Sequence, residues 1–377
     1  MSTGVRWAFS VAGALMAAAA IVLFVVSPGA SAPAGDPVPT GEAGSRFGTP
    51  TATQAAPAGP RLSKSATERL VERLFVAGFP TRTGPQRNWG GLLVTDANFA
   101  SAEQFRTLVR RLQRRASRVS KPVPLIVADP ALLGTLGPVD APTLGAEGTP
   151  AAARTSSEAA AARVRTAGID LVLAPSGDLA VGGGPTELRS FGDDPMRVAR
   201  FVRASVDGWL AGGVAPVPGR FPGEGAASQD PLEGPATVGL SLDELVARDL
   251  RPFAGVVARA PAMQMSAALY GAFDSVKPAT LMPDAVRLLR GRLGFRGVVV
   301  SADLNAATAA TGEDIGKAAV EALQAGCDLL LVPGDRAAQD EAFAAVVEAV
   351  RSGAVPRARI DEALKRVTLL RSRAGAS

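Results

Sequence analysis

The chain has 377 residues, 47% of them hydrophobic, and its 40 Lys and Arg against 35 Asp and Glu give a formal net charge of +5. It contains no histidine and a single cysteine. Imidazole metal ligands, Ser-His-Asp and Cys-His nucleophiles and internal disulfides are therefore excluded, and the length suits two ordinary domains or one large α/β barrel with non-globular sequence attached.

Residues 8–26 form an uninterrupted apolar run preceded by Arg6, close to the ~20 residues that cross a bilayer. Ala30-Ser31-Ala32 has the small residues of a cleavage site. Residues 1–26 thus read as a membrane anchor or a signal peptide, and the length of the apolar core favours the anchor. Either way the remainder is expected outside the cytoplasm, tethered to the membrane or secreted. Residues 27–61, rich in Pro, Ala, Gly, Ser and Thr, hold too little apolar surface to fold and read as a disordered linker.

From residue 62 onward, β-like runs at 91–94, 124–128, 169–174, 214–217, 262–265, 297–300 and 329–332 alternate with amphipathic segments at 105–112, 158–165, 198–209, 242–257, 282–293 and 315–323. Such alternation argues for βα units on a parallel sheet. The number of units, with polar or Gly/Pro-rich residues after many strands, argues for a single (β/α)8 TIM-type barrel over 62–377. An open doubly wound sheet is the alternative, but no Gly-x-Gly-x-x-Gly follows a strand near the domain start. Arg106, Arg110, Arg111, Arg114, Arg115, Arg118 and Lys121 crowd one predicted helix. A run of this kind ordinarily faces water, and outside the cytoplasm it could also meet anionic cell-wall polymer or lipid head groups, whereas nucleic acid is not expected there. Cys327 lies in an apolar run as a small buried hydrophobe. Gly182-Gly183-Gly184 is not followed by the Lys and Ser/Thr of a phosphate loop, and neither a metal nor a cofactor is expected.

Several segments occur in order from about residue 70 to 371: Trp89-Gly90-Gly91-Leu92-Leu93-Val94; Leu173-Ala174-Pro175 with Asp178; Arg189-Ser190-Phe191-Gly192-Asp193-Asp194-Pro195; Arg220-Phe221-Pro222-Gly223-Glu224-Gly225; Pro278-Ala279-Thr280-Leu281; and Leu293-Gly294-Phe295-Arg296-Gly297 running into Val298-Val299-Val300-Ser301. Together they resemble the N-terminal barrel of glycoside hydrolase family 3, in particular its bacterial β-N-acetylglucosaminidase branch. The resemblance implies cleavage of terminal β-linked N-acetylglucosamine through a covalent glycosyl-enzyme, which needs a carboxylate nucleophile and a group that protonates the leaving oxygen.

It also implies where those groups should stand. The nucleophile position, directly after the strand-end Ser, is Ala302. Asp303 matches the family's second acidic residue and, by strand alternation, points away unless a bulge brings it round. The Asp-x-His dyad becomes Asp230-Pro231-Leu232, keeping the Asp and losing the His; the Lys-His before Phe-Pro-Gly becomes Gly219-Arg220; and the His of that motif becomes Glu224. Asp129 and Arg189 survive from the sugar-contacting set, which leaves Asp129, Arg189 and Arg220 as candidate ligand contacts. Each has a plainer reading: Arg189 could pair with Asp193 or Asp194, Asp129 could cap a turn, Asp178 could cap a helix or turn, and Asp230 and Glu224 could be solvated charges on a Gly-rich loop. The expectation is a non-catalytic barrel that binds N-acetylglucosamine-containing cell-wall glycan or a protein partner. An active glycosidase with relocated carboxylates, Asp303 with Glu224 or Asp230, is the alternative, and a purely scaffolding envelope protein is a third reading.

Overall fold

The structure, a computed structural model, describes residues 63–79, 85, 87–119, 124–273 and 276–375, all within the second of the two units, 1–58 and 59–377, into which the chain divides. The apolar run 8–26 and the linker 27–61 lie outside the described residues. Ten strands occur in the described part: β1 Phe75–Ala77, β2 Gly91–Val94, β3 Leu125–Ala128, β4 Leu171–Val172, β5 Ala215–Pro216, β6 Thr237–Val238, β7 Ala262–Gln264, β8 Leu269–Tyr270, β9 Val298–Asp303 and β10 Leu329–Val332.

Eight of them form one sheet in the order β5-β4-β3-β2-β1-β10-β9-β7, with parallel pairing throughout. The two free edges meet beyond the strand ends, where Gln264 N donates to Pro218 O at 2.9 Å and Phe221 N to Gln264 O at 2.8 Å. Together these bonds draw the sheet into the expected eight-stranded barrel, and β6 with β8 makes a small parallel ribbon beside it. The strands are apolar on both faces because both are covered. Val76, Leu93, Val127, Val300, Leu329 and Leu331 fill the interior together with Val367 and Leu370, which the helix Arg357–Arg373 contributes as a floor. The alternate residues Leu92, Ile126, Val299 and Leu330 join the larger cluster under the helices.

The outer ring follows from the same logic. Helix Ala102–Val119 buries Phe105, Leu108, Val109 and Leu112 and leaves Arg106, Arg110, Arg111, Arg114 and Arg115 exposed, the arrangement of a solvated amphipathic helix; Lys121 lies outside the described residues. Helices Pro150–Thr166 and Pro195–Ala211 approach closely through Gly208, where any Cβ would run into the Arg154 carbonyl, and share a buried Ser157–Ser205 hydroxyl pair 2.7 Å apart. At the floor, buried Asp328 accepts from Arg290 at 2.7 Å, Arg359 at 2.8 Å and Arg366 at 3.1 Å, so one carboxylate ties the start of β10 to the last helix.

Several elements differ from the sequence reading. β1, β6 and β8 lie outside the expected runs, because two or three residues are shorter than any usable period. The 242–257 segment is two helices, Leu242–Ala247 and Leu250–Ala254, with Pro252 in the first turn of the second, where its missing N–H costs nothing. The 282–293 segment is an α-turn Pro283–Arg287 continued by a π-turn, Leu288–Arg292.

Candidate functional site

The loops after β4 and β5 build a buried ionic cluster at the barrel mouth. Asp178, on the chain leaving β4, accepts from Ser176 Oγ at 2.8 Å and from Glu224 N at 2.8 Å. Glu224, on the loop after β5, is 0% exposed; its Oε1 accepts from Ser266 Oγ at 2.8 Å, and its Oε2 from Arg220 Nη1 at 2.7 Å and Arg189 Nη2 at 3.2 Å. Arg189 also donates to Asp230 Oδ2 at 2.7 Å and lies 3.7 Å from Asp178. Tyr270, fully buried, fixes the loop by donating to Gly223 O at 2.8 Å. Three carboxylates and two guanidiniums thus converge where the sugar-contacting residues were expected.

The electrostatics follow from burial and neighbours. Burial, reinforced by Glu224, raises the Asp178 carboxyl above its usual range against the pull of Arg189 and Arg220. For Arg220, burial works to discharge the guanidinium, but Glu224 and Asp178 more than offset it and hold the charge. Asp230 is half-buried; burial pulls its carboxyl up, and the Leu232 N–H with Arg189 outweighs this and holds it low. Beside the cluster, Asp249 is buried against Gly223, neither of its oxygens has a hydrogen-bond partner among the described residues, and burial pushes it up to about 6.

Several plainer readings are corrected here. Arg189 pairs with Asp230, Glu224 and Asp178 rather than with Asp193 or Asp194; Asp194 instead caps the helix Pro195–Ala211. Glu224 is a buried charge held by two arginines, not a solvated one, and Asp178 is a member of the cluster rather than a simple cap. Ser266 had no signal in the sequence, since it meets Glu224 only through the fold.

The remaining candidates stand apart from this cluster. Asp129 caps the helix Pro130–Leu136, accepting from Leu132 N at 2.8 Å, and burial raises its carboxyl. Ala302 is 3% exposed, packs with Ala267 and Ala306, and donates its N–H to Thr280 Oγ1 at 3.0 Å. Asp303 turns back onto its own chain: it caps the helix Leu304–Thr311, accepting from Asn305 N at 2.8 Å and Asn305 Nδ2 at 3.0 Å, and burial raises it. The β9–β10 register does shift, Leu329 facing Val300 and Leu331 facing Asp303, so β9 holds the extra residue of a bulge. That bulge leaves the Asp303 carboxylate engaged in its cap. Leu232, in the place of the dyad His, is 58% exposed. Among the described residues no group of carboxylates and Cys is arranged to hold a metal ion.

A cavity of about 270 Å3 opens beside the cluster between the loops after β3, β4 and β5, and its lining includes Arg189, Arg220 and Gln264 together with Leu133, Asp140 and Leu173. Mouth, cluster and cavity lie at the C-terminal ends of the strands, where barrels of this kind place their sites.

A family model described as glycosyl hydrolase family 3 N terminal domain matches residues 85–370. A beta-hexosaminidase of Xanthomonas campestris pv. campestris is 38% identical over 187 residues, 49% of this chain and 56% of that protein. One from Stenotrophomonas maltophilia is 40% identical over 174 residues, 46% of this chain and 52% of that protein. The chain therefore spans about half the length of the curated relatives it matches. Among solved structures, a glycoside hydrolase family 3 beta-N-acetylglucosaminidase from Paenibacillus sp. str. FPU-7 superposes with a TM-score of 0.75 at 30% identity, covering 82% of this chain and 62% of that one. A beta-N-acetylhexosaminidase from Beutenbergia cavernae superposes with a TM-score of 0.71 at 26% identity, covering 82% and 99%. With the barrel, the mouth motifs and the family match in agreement, the chain belongs to glycoside hydrolase family 3, through that family's N-terminal barrel domain.

Proposed function

We propose that this protein is a non-catalytic member of family 3 that acts outside the cytoplasm, where its barrel binds N-acetylglucosamine-containing glycan without cleaving it. The observation that carries the reading is the state of the reacting carboxylates. Ala302 offers a methyl group where the nucleophile should stand, and its acidic neighbour Asp303 is spent as a helix cap. Glu224 is 0% exposed and held by Arg189, Arg220 and Ser266, so it has no open face to present to a leaving oxygen or to a water. Loss of acid assistance alone costs typically ~10²- to 10⁴-fold, and without a nucleophile no glycosyl-enzyme forms. Glycan is the favoured ligand because the relatives matched are named beta-hexosaminidases and Arg189, Arg220 and Gln264 line the mouth cavity.

The test is to titrate the full chain with N-acetylglucosamine oligomers by calorimetry while assaying release of free sugar from aryl β-N-acetylglucosaminides. Binding without release above a buffer control is expected, and Ala302→Asp alone is expected not to restore turnover, since the dyad His is still Leu232. The second reading, an active hydrolase with relocated carboxylates, draws on the relatives' names and on the β9 bulge. Turnover that survives purification and disappears in Asp303→Asn or Glu224→Gln would establish it instead.

A further inference from the structure

At the floor, the end of the barrel opposite the mouth, a second cavity of about 280 Å3 opens beside Asp328. Its charged lining is four arginines, Arg287, Arg290, Arg359 and Arg366, against one carboxylate, Glu362. Arg290, Arg359 and Arg366 each donate to buried Asp328, and Arg287 pairs with Asp284. Four guanidiniums thus meet three carboxylates, an excess of one positive charge. All four arginines keep exposed side-chain surface, from 14% for Arg359 to 69% for Arg287.

That charge is not fully answered within the protein. Burial lowers the Arg290 guanidinium; Asp328 pulls it back up, while Arg366 and Arg359 repel it. Arg359 Nη1 is buried without a hydrogen-bond partner among the described residues, and the Glu362 carboxylate stands 3.6 Å from it, beyond a hydrogen bond. Glu362, 52% exposed, feels the same field: burial raises its carboxyl, but Arg366, with Arg359 and Arg290, outweighs this and holds it low. Of the carbonyls that end the helix Ile315–Ala325 and would repel an anion, those of Ala322 and Leu323 are taken up by Gly326 N, Cys327 N and Arg359 Nε. Arg290 and Arg366 spend both Nη groups on protein partners and keep Nε.

We propose that this floor cavity binds a phosphate group carried on an organic body, with Arg287, Arg290 and Arg366 as its donors and Glu362 as the protein's own carboxylate competing for them. Guanidiniums match phosphate oxygens in geometry, and a phosphate ester answers the charge excess that Glu362 leaves. The cavity has room for roughly nine waters at ~30 Å3 each, more than a bare phosphate needs. Pro283, Gln324 and Gly326 supply an uncharged wall for the body that bears it. The site stands whether or not the mouth binds glycan.

The experiment titrates the full chain by calorimetry, at neutral pH and fixed low ionic strength, with inorganic phosphate, glycerol 3-phosphate, dimethyl phosphate and acetate. Phosphate is expected to bind at least tenfold tighter than acetate. Glycerol 3-phosphate binding tighter than dimethyl phosphate identifies a monoester as the source; equal or reversed affinities identify a phosphodiester, as in a lipid headgroup. Two variants assign the binding to the cavity. Arg287→Glu reverses a charge in the lining while leaving the three arginines on Asp328 in place. It breaks only an exposed pair, so the melting temperature is expected to hold while phosphate binding weakens at least tenfold. Glu362→Gln releases Arg366 and Arg359 from their carboxylate and is expected to strengthen phosphate binding at least threefold, a gain that a purely structural cluster does not give. Phosphate bound no tighter than acetate, or a phosphate affinity that either variant leaves unchanged, overturns the site.

Discussion

Replacing Glu224 by Gln keeps the shape of the side chain and its acceptor for Ser266 while removing the charge that two arginines share. In the wild type Glu224 Oε2 lies 2.7 Å from Arg220 and 3.2 Å from Arg189, with the carboxylate 0% exposed. After the change, Arg220 keeps Asp230 at 4.0 Å and the more distant pull of Asp178, while Arg189 keeps Asp230 at 2.7 Å and Asp178 at 3.7 Å. Arg220 is thus the group left buried without a close counter-charge. Removing one partner of a buried pair costs about 3–5 kcal/mol; because Gln still accepts from Ser266 and Arg189 keeps Asp230, the lower end, about 3 kcal/mol, is the figure expected. The assay is urea unfolding at neutral pH followed by far-UV circular dichroism, with Arg220→Met in the Glu224→Gln background as the companion measurement. The double variant is expected to recover part of the loss, since it no longer strands a cation. A Glu224→Gln protein within about 0.5 kcal/mol of wild type would refute the argument that this cluster holds the mouth loops together.

Asp249 should make stability depend on pH: a carboxyl whose native value stands near 6 instead of 3.8 is destabilising once ionised, so stability is greatest at low pH and falls as pH rises from about 4 to 6. Asp249→Asn should remove up to about 3 kcal/mol of that fall, checked by melts at pH 4.5 and 7. Asp303→Ala removes the cap on Leu304–Thr311 and should cost about 1 kcal/mol without altering glycan binding, measured by urea titration and calorimetry. Gly208→Ala drives a methyl into the Arg154 carbonyl and should lower stability by about 1–3 kcal/mol, seen as a depressed melting temperature, whereas Gly134→Ala should be neutral or stabilising.

The barrel was legible in the sequence because a parallel strand covered on both faces leaves an apolar run that no loop imitates, as at 91–94, 297–300 and 329–332. β1 escaped because three residues, Phe75–Ala77, carry no period, and its place is set by pairing with β2 and β10. Among the site residues, the losses at Ala302 and Leu232 could be read by position alone. What replaced them could not. A sequence shows that Glu224 stands where a histidine was expected, but whether such a group is solvated or sealed depends on Arg189, 35 positions away, and Ser266, 42 positions away. Asp303 could be read as a stray carboxylate, and only the turn into Asn305 shows it capping a helix.

The floor of the barrel bears on how the molecule comes apart. β1 is flanked by β2, its neighbour in the chain, and by β10, with Phe75 facing Leu330. Arg371 reaches back to the Gly90 carbonyl across 281 positions, and Gln339 to that of Gly78 across 261. Asp328 completes its shell only with Arg359 and Arg366 from the last helix. Every turn of the cylinder therefore waits on a seam between the earliest and latest parts of the fold. A barrel that closes only through such distant pairings makes for slow assembly and for all-or-none loss of structure: amides of β1 and β10 should exchange with solvent together, at the free energy of global unfolding.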